Sequence, residues 1–308
     1  MKIYNSIIEL TGSTPLVRVK KIEDKYQLDN TILVKLEMFN PSGSVKIRPA
    51  KSMVLKALHD GLITEKSVLI EPTSGNMGIA IALVAASLGM KFIAVMPQNM
   101  SVERQKLIKA YGAEVILTEA KDGMNGAVKK AKELAMELDG FILSQFDNLN
   151  NPLAHYESTA KEIVEDTNGW VDIVVSGVGT GGTISGVARY IKKLKDVKMI
   201  GVEPQSSPLL TSGVSGPHKI QGIGANFIPN TLDLSMVDDV VDVTDAKAIE
   251  LSRELAFLEG IFVGVSSGAA MAGTIDYIKK NNLKDKTIVV ILPDTGERYL
   301  STDLIYEE

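Results

Sequence analysis

The sequence SGVGTGGTISG, residues 176–186, is the most informative segment for the architecture of this chain. It follows an apolar segment, DIVVSG at 172–177, that is typical of a buried strand, and a helical pattern begins at residue 183. Glycine has no Cβ, so the backbone N–H groups of such a loop can approach a ligand closely, and the start of a helix favours negative charge. We therefore expect a strand–loop–helix turn that binds a phosphate group, in preference to an ordinary tight β–α turn.

The same alternation of strand and helix extends in both directions from this loop. Short β-branched segments predict strands, and the segments between them have the 3.6-residue spacing of helices. The predicted strands are 31–37, 67–72, 91–97, 114–119, 141–146, 172–177, 198–203 and 287–293. The predicted helices are 46–60, 76–89, 102–111, 123–138, 152–166, 183–195, 246–259 and 267–280. This order is typical of βαβ units around a parallel sheet, and the number of strands favours two α/β lobes.

Glycine follows several of these helices, where a left-handed residue often ends a helix. The glycines at these positions are Gly61, Gly89, Gly112, Gly140 and Gly260.

The composition narrows the class of protein. The chain has 308 residues, of which 45% are hydrophobic, and its formal net charge is −5. An acidic chain lacks the clustered positive charge that nonspecific binding to nucleic acid or anionic membranes requires. With no cysteine and only 3 histidines, it offers no disulfide, thiolate metal site or histidine-rich metal site. The N-terminus has no long apolar core before Glu9, so we predict a cytoplasmic protein without a signal peptide or membrane span.

Two further turns carry candidate ligand contacts. EPTSGNMG, residues 71–78, joins a predicted strand to a helix and offers hydroxyl and amide donors beside free helix N–H groups. Such a turn suits a carboxylate or a second phosphate, although simple N-capping explains it equally well. In NPSGSVKIRPA, residues 40–50, Lys46 lies near a helix start, where the dipole disfavours a cation. That position lowers the pKa of an amine and favours Schiff-base chemistry, and the alternative is a lysine that points into solvent.

Two short motifs suggest other enzyme classes. Gly177, Gly179 and Gly182 fit GxGxxG, and Glu203 ends the next predicted strand, as in dinucleotide-dependent oxidoreductases. GVSSGAA, residues 264–270, fits the GxSxG pattern of α/β-hydrolases. Those hydrolases place their histidine after the serine, whereas the last histidine here is His218. A dinucleotide-dependent oxidoreductase stays a distant alternative. The order of serine and histidine along the chain does not fit an α/β-hydrolase.

Lys46, TSGNMG, GTGGT and GVSSGAA, taken together and in this order, closely resemble the cysteine synthase (O-acetylserine sulfhydrylase) and cystathionine β-synthase family. These are pyridoxal-phosphate enzymes of fold type II. The resemblance extends to IIELTGSTPLVRV, GPHKIQGIGANFIP and GERYLST, so it covers nearly the whole chain. It implies a two-lobed, three-layer αβα fold similar to the tryptophan synthase β subunit. We place a smaller mobile lobe at 38–147 and a larger lobe, with the phosphate loop, at 1–37 and 148–308, with the cofactor between the lobes.

The resemblance implies a role for each matching residue. Lys46 would bind pyridoxal 5′-phosphate covalently and act as the catalytic base at the substrate α-carbon. Asn76 would contact the phenolic oxygen of the cofactor, and Ser266 its pyridine nitrogen. The residues implied at the cofactor phosphate are Gly179, Thr180, Gly181, Gly182 and Thr183. The residues implied on the substrate side are Thr73, Ser74, Met77, Gln145 and Gly222.

The implied reaction is β-replacement on a β-substituted L-alanine, in the first place cysteine synthesis from O-acetyl-L-serine and sulfide through an aminoacrylate. The sequence departs from the family pattern on the substrate side, at Met77, Asn226, Asp294 and Thr295. The alternative is therefore cysteine desulfhydration, or a β-replacement that forms lanthionine or cystathionine and releases hydrogen sulfide. The resemblance also implies a homodimer and, as a partner that members of the family can bind, serine acetyltransferase.

Overall fold

The computed structural model describes residues 3–73 and 75–305. Its strands are β1 (Leu16–Arg18), β2 (Thr31–Leu36), β3 (Val68–Pro72), β4 (Lys91–Pro97), β5 (Glu114–Thr118), β6 (Phe141–Ile142), β7 (Ile173–Gly177), β8 (Lys198–Pro204), β9 (Asp239–Val243) and β10 (Thr287–Leu292). Its α-helices are α1 (Lys20–Tyr26), α2 (Ile47–His59), α3 (Asn76–Leu88), α4 (Val102–Ala110), α5 (Gly123–Leu138), α6 (Asn150–Ala154), α7 (Ala160–Asp166), α8 (Gly182–Ile191), α9 (Leu209–Ser212), α10 (Asp245–Glu259) and α11 (Val265–Lys280). Within the described residues, no helix is both long enough and apolar enough to cross a membrane.

The chain divides into two compact units. One comprises Met1–Thr11 and Lys46–Asn151, and the other comprises Gly12–Val45 and Pro152–Glu308. Each unit contains a largely parallel sheet with helices between its strands. The predicted α/β class is therefore confirmed.

The sheet of the first unit has the strand order β5-β4-β3-β6, and every neighbouring pair is parallel. The strand β4 reads KFIAVMP and is buried after its first residue, as expected for a strand covered on both faces. The helix α3 is buried from Met77 to Ala85 and ends at Gly89, which has a φ of 67°. Because the strands run parallel, the residues that follow β3 and β6 lie at the same edge of the sheet.

The sheet of the second unit has the order β1-β2-β10-β7-β8-β9, in which only the β1–β2 pair of the described strands is antiparallel. The strand β7 lies between β10 and β8, and Val175 is opposite Val290 on one side and Ile200 on the other. This inner position fixes the loop that follows β7. The helix α11 packs against the same sheet and is buried along nearly its whole length.

The structure corrects the predicted element boundaries at several places. The elements β1, β9, α1 and α9 were not predicted, and the helix expected at 152–166 is divided into α6, a π-helical turn (His155–Thr159) and α7. The strand expected at 141–146 ends at Ile142, because the chain turns at Ser144, which has a φ of 58°. Gly140 does not provide the left-handed end of α5, since Asp139 does so with a φ of 49°. A Cβ at Gly140 would instead lie 2.5 Å from Cδ1 of Ile70.

Candidate active site

The glycine-rich loop after β7 has the predicted strand–loop–helix geometry. Gly177 ends β7, Gly181 caps the helix with a φ of 76°, and α8 begins at Gly182. The N–H of Gly182 donates to Oγ1 of Thr180 at 3.3 Å, and the carbonyl of Thr180 accepts from Oγ1 of Thr231 at 2.6 Å. The side chains of Thr180 and Thr231 therefore fix the loop. The first N–H groups of α8 lie at its end.

Two positions in this loop require glycine for lack of space. A Cβ at Gly179 would lie closer than 3.0 Å to the carbonyl oxygen of Gly222, and one at Gly181 would lie 2.5 Å from Cβ of Leu232. Gly179 thus packs directly on the backbone of Gly222, and Gly181 packs on Leu232, so neither position has room for a side chain. A phosphate dianion binds well at such a helix start, so these residues fit the phosphate of pyridoxal phosphate.

Thr183 is held by a buried histidine that the sequence did not identify as part of the site. His155 is 1% exposed, and its Nε2 lies 3.3 Å from Oγ1 of Thr183. Its Nδ1 lies 3.0 Å from Oγ1 of Thr159, one π-helical turn along the chain. The contact joins residues 28 positions apart, and no local pattern predicts such a pair.

Ser266 lies in the first turn of α11 and is 3% exposed. Its Oγ is 3.7 Å from the position that a Cβ would occupy at Gly222, which is the residue that packs on Gly179. The second unit therefore brings together the predicted phosphate loop, Gly222 and Ser266.

Lys46 occupies the N-cap position of α2, with a φ of −69° and a ψ of −15°. The residues that follow it, from Ile47 to Ala50, are buried, and the N–H of Ala50 donates to the carbonyl of Lys46 at 3.1 Å. The helix α2 packs against α3, which begins at Asn76. The predicted lysine thus lies at a helix start, as the sequence indicated.

The turn between β3 and α3 is the second helix start with candidate ligand contacts. The N–H of Thr73 donates to the carbonyl of Val95 at 2.9 Å, which continues the ladder between β3 and β4. A Cβ at Gly78 would lie 2.8 Å from Cγ2 of Thr73, so Gly78 allows α3 to pack against this threonine. Met77 is 2% exposed within the apolar core of the first unit. Ser74 lies outside the described residues.

Gln145 lies at the same edge of the sheet, just after β6, and is 7% exposed. Its N–H donates to Oε1 of Glu71 at 3.0 Å, and the N–H of Ser144 donates to Oε2 of Glu71 at 2.8 Å. Burial raises the pKa of Glu71 to about 7, although these hydrogen bonds oppose the rise, and the charge of Asp147 adds to it. Glu71 is the first residue of the EPTSGNMG motif, which by itself indicates no role for this carboxylate.

Glu203 is not available as a ribose partner in a dinucleotide site. It is 2% exposed, and its two oxygens accept from the N–H of Leu210 at 2.7 Å and from the N–H of Thr211 at 3.0 Å. The hydroxyl of Thr211 also donates to it at 2.6 Å. The carboxylate therefore fixes the segment after β8, and the oxidoreductase alternative loses its acidic residue.

Comparison with known proteins identifies close relatives over the full length of the chain. A family model described as pyridoxal-phosphate dependent enzyme matches residues 7–294. Cysteine synthase B of Campylobacter jejuni is 47% identical over 306 residues, which cover 99% of each chain. The crystal structure of cysteine synthase from Entamoeba histolytica matches with a TM-score of 0.94 at 44% identity, covering 100% of this chain and 93% of that one. A hydrogen sulfide-producing enzyme from Fusobacterium nucleatum matches with a TM-score of 0.92 at 46% identity, covering 97% of this chain and 100% of that one.

Proposed function

The chain belongs to the pyridoxal-phosphate-dependent enzyme family, and from this premise we propose that it is a cysteine synthase. The reaction is β-replacement on O-acetyl-L-serine by sulfide, which gives L-cysteine and acetate. The observation that carries this choice of reaction is the 47% identity with a cysteine synthase along 99% of both chains. The family match confirms the resemblance and the fold inferred from the sequence, and with them the cofactor.

When bound, pyridoxal phosphate supplies the electron sink that stabilises negative charge at the substrate α-carbon. Nζ of Lys46 would hold it covalently and, once the amino group of the substrate has displaced this amine, the free Lys46 would accept the proton from the α-carbon. The N–H groups from Gly179 to Thr183 would bind the phosphate, and Asn76 would contact the phenolic oxygen. Ser266 would place a neutral hydroxyl, and no acidic group, beside the pyridine nitrogen.

The substrate carboxylate is assigned to the first unit. The N–H groups at the start of α3, together with Thr73 and Gln145, provide donors at one edge of the parallel sheet. A carboxylate at a helix start is stabilised by the free N–H groups and by the helix dipole. The side chain of Met77 is in the apolar core, so we assign only its backbone N–H to this site.

Borohydride trapping followed by peptide mass spectrometry tests the attachment site. We expect one reduced cofactor adduct on Lys46 and none in the Lys46→Ala variant. Lys51 is the matched control, since it lies on the same helix and partial burial lowers the pKa of its amine. An adduct on Lys51, or a Lys46→Ala protein that still carries a trapped adduct, would contradict the assignment.

Hydrogen sulfide release from cysteine is the second candidate function. It is favoured by the likeness to the hydrogen sulfide-producing enzyme of Fusobacterium nucleatum at 46% identity. Sulfide measured with cysteine alone, and cysteine measured with O-acetylserine and sulfide, separate the two candidates. We expect cysteine formation to exceed sulfide release at least tenfold in kcat/KM, and the reverse ratio would establish the desulfhydrase.

Three further features stay proposals. The protein is a cytoplasmic homodimer, and light scattering of the purified holoenzyme tests its mass. The lobe at 38–147 moves when substrate binds, which protection from hydrogen exchange with and without amino acid would detect. A serine acetyltransferase tail binds the substrate side, and a peptide of that C-terminal sequence should then compete with O-acetylserine.

A further inference from the structure

Glu71 is a buried carboxylate at the carboxyl end of β3 to which the proposed reaction gives no role. It is 1% exposed, and it accepts hydrogen bonds from two successive backbone N–H groups, those of Ser144 and Gln145. These donors are 73 and 74 positions away along the chain. The carboxylate therefore joins the end of β3 to the turn that follows β6.

The turn after β6 depends on this carboxylate for its conformation. Ser144 has a φ of 58°, so the chain leaves the sheet there and its next N–H groups lose their ladder partners. On the other side of the turn, Nδ2 of Asn151 donates to the carbonyl of Gln145 at 2.8 Å, and Nδ2 of Asn148 donates to the carbonyl of Leu143 at 3.0 Å. An apolar side chain at position 71 would leave the buried N–H of Gln145 and the partly buried N–H of Ser144 without this acceptor, which is costly.

Glu71 is also two residues before Thr73, where the turn into α3 begins. The end of β3 is thus hydrogen-bonded to one of the segments to which we assign the substrate carboxylate and leads directly into the other. We propose that Glu71 is a positioning residue, whose carboxylate holds Gln145 beside the turn from Thr73 to Asn76 so that both segments bind the α-carboxylate of the amino-acid substrate. This inference rests on the proposed function and specifies its carboxylate site.

The hydrogen-bonding pattern makes this support dependent on pH. Both carboxylate oxygens accept an N–H, and a protonated carboxyl group presents an O–H to one of the two donors. Burial raises the pKa of Glu71 to about 7, with hydrogen bonds from Ser144 and Gln145 opposing and the charge of Asp147 adding to the rise. As the pH falls through about 7, the turn loses one acceptor and Gln145 is held less firmly.

Steady-state kinetics of the holoenzyme with O-acetylserine and sulfide test the proposal in the Glu71→Gln variant. At pH 8 we expect KM for O-acetylserine to rise about tenfold, which corresponds to about 1.4 kcal/mol, while kcat changes less than about threefold. As the pH falls from 8 to 6, KM should rise in both proteins because the α-amino group of the substrate becomes protonated, and it should rise more steeply in the parent protein than in the variant. Glu23→Gln is the matched control, because Glu23 is equally buried and also accepts a backbone N–H, that of Ile32 at 2.8 Å. Ile32 lies at the amino end of β2, away from the carboxyl ends of the strands. This control variant should retain the kinetics of the parent.

Two outcomes would overturn the proposal. One is a variant whose KM follows pH as the parent does, and the other is a loss confined to kcat. If Glu71→Gln fails to fold, the pH dependence of KM in the parent protein and in the Glu71→Asp variant tests the proposal instead. The shorter carboxylate should retain a pH-dependent KM at a higher absolute value, and a parent KM that is constant between pH 6 and 8 would refute the inference.

Binding of L-alanine, followed through the cofactor absorbance, separates this inference from the proposed function. L-alanine carries the α-carboxylate but no leaving group, so its affinity reports on the carboxylate site without turnover. A protein that fails to form cysteine but binds L-alanine about tenfold more weakly in the Glu71→Gln variant contradicts the function and supports the positioning role. A protein that forms cysteine and binds L-alanine equally in both forms contradicts the positioning role alone.

Discussion

Replacing Glu71 by glutamine should change how the stability of the protein depends on pH. The ordinary pKa of a glutamate is 4.5, and burial raises that of Glu71 to about 7. Between these values the folded chain holds a proton at Glu71 that the unfolded chain has released. The contribution of Glu71 to the free energy of unfolding is therefore fully present below about pH 4.5 and is lost as the pH rises through about 7.

The gap between the two pKa values gives the size of the effect. Each pH unit in this window corresponds to about 1.4 kcal/mol, so the full window corresponds to about 3 kcal/mol. Solvent screening does not reduce this value much, because the side chain is only 1% exposed. A glutamine side chain does not titrate in this range. Its packing and hydrogen-bonding cost therefore changes the free energy of unfolding of the variant by the same amount at every pH.

Urea denaturation of the parent and of Glu71→Gln at half-unit steps from pH 4.5 to 8 measures this difference. We expect the free energy of unfolding of the parent, less that of the variant, to fall by about 3 kcal/mol across the range. Leu69→Met is the control, since Leu69 is buried in the same strand and carries no titratable group. A difference that is flat within about 1 kcal/mol, or that rises with pH, would refute the reasoning; a rise would mean that the two N–H bonds outweigh burial.

Three other substitutions probe the site and its support. Gly179→Ala forces a Cβ against the carbonyl of Gly222, so we expect an overpacking cost of about 1–3 kcal/mol and a matching loss of cofactor affinity in an absorbance titration. Gly112→Ala, with a φ of 80° and open space at its Cβ, should retain that affinity. Ser266→Ala should retain cofactor and stability within about 1 kcal/mol but lower kcat/KM. Lys35→Ala removes a fully buried ammonium from two partly exposed carboxylates at 2.9 and 3.2 Å, and it should lower the urea midpoint by an amount equivalent to about 1–3 kcal/mol.

The sequence predicts most accurately the elements whose surroundings are uniform. The strand β4 was predicted at the residues where it is found, because a strand buried on both faces must be apolar without interruption. The helix α3 was predicted to within one residue, since Gly89 takes the left-handed conformation at its end. The strand–loop–helix geometry of residues 176–186 was predicted for a similar reason, because an apolar strand, a turn and a helix start are each visible in the local sequence.

Local sequence patterns do not predict contacts between segments that are distant along the chain. The packing of Gly222 on Gly179 and the contact of His155 with Thr183 depend on tertiary structure, which periodicity does not encode. The strand β9 was missed because its residues are mostly half-buried and two aspartates interrupt its apolar pattern. Gly140 is a further example, because a Cβ at this position would collide with the side chain of Ile70 in a neighbouring strand. The local sequence does not reveal this contact.

The two units nevertheless repeat one device that is visible in the sequence. Glu71 and Glu203 each precede a proline that ends a strand, in the pairs Glu71–Pro72 and Glu203–Pro204. Proline favours an extended conformation in the residue before it, so each glutamate is held at the carboxyl end of its strand. Each is buried, and each accepts two successive backbone N–H groups from another segment, at 144–145 and at 210–211.

This repetition has a physical reason in the geometry of parallel sheets. Ligands bind at the carboxyl ends of the strands, where the chain must leave the sheet and its N–H groups lose their ladder partners. A carboxylate supplies two strong acceptors at one point, and it can therefore fix a turn that no neighbouring strand reaches. A Glu-Pro pair at the end of an apolar segment thus predicts a fixed turn at the ligand edge, and replacing Glu203 by glutamine should loosen 210–211 as measured by faster hydrogen exchange there. Unchanged exchange at those two amides would contradict this reading of the motif.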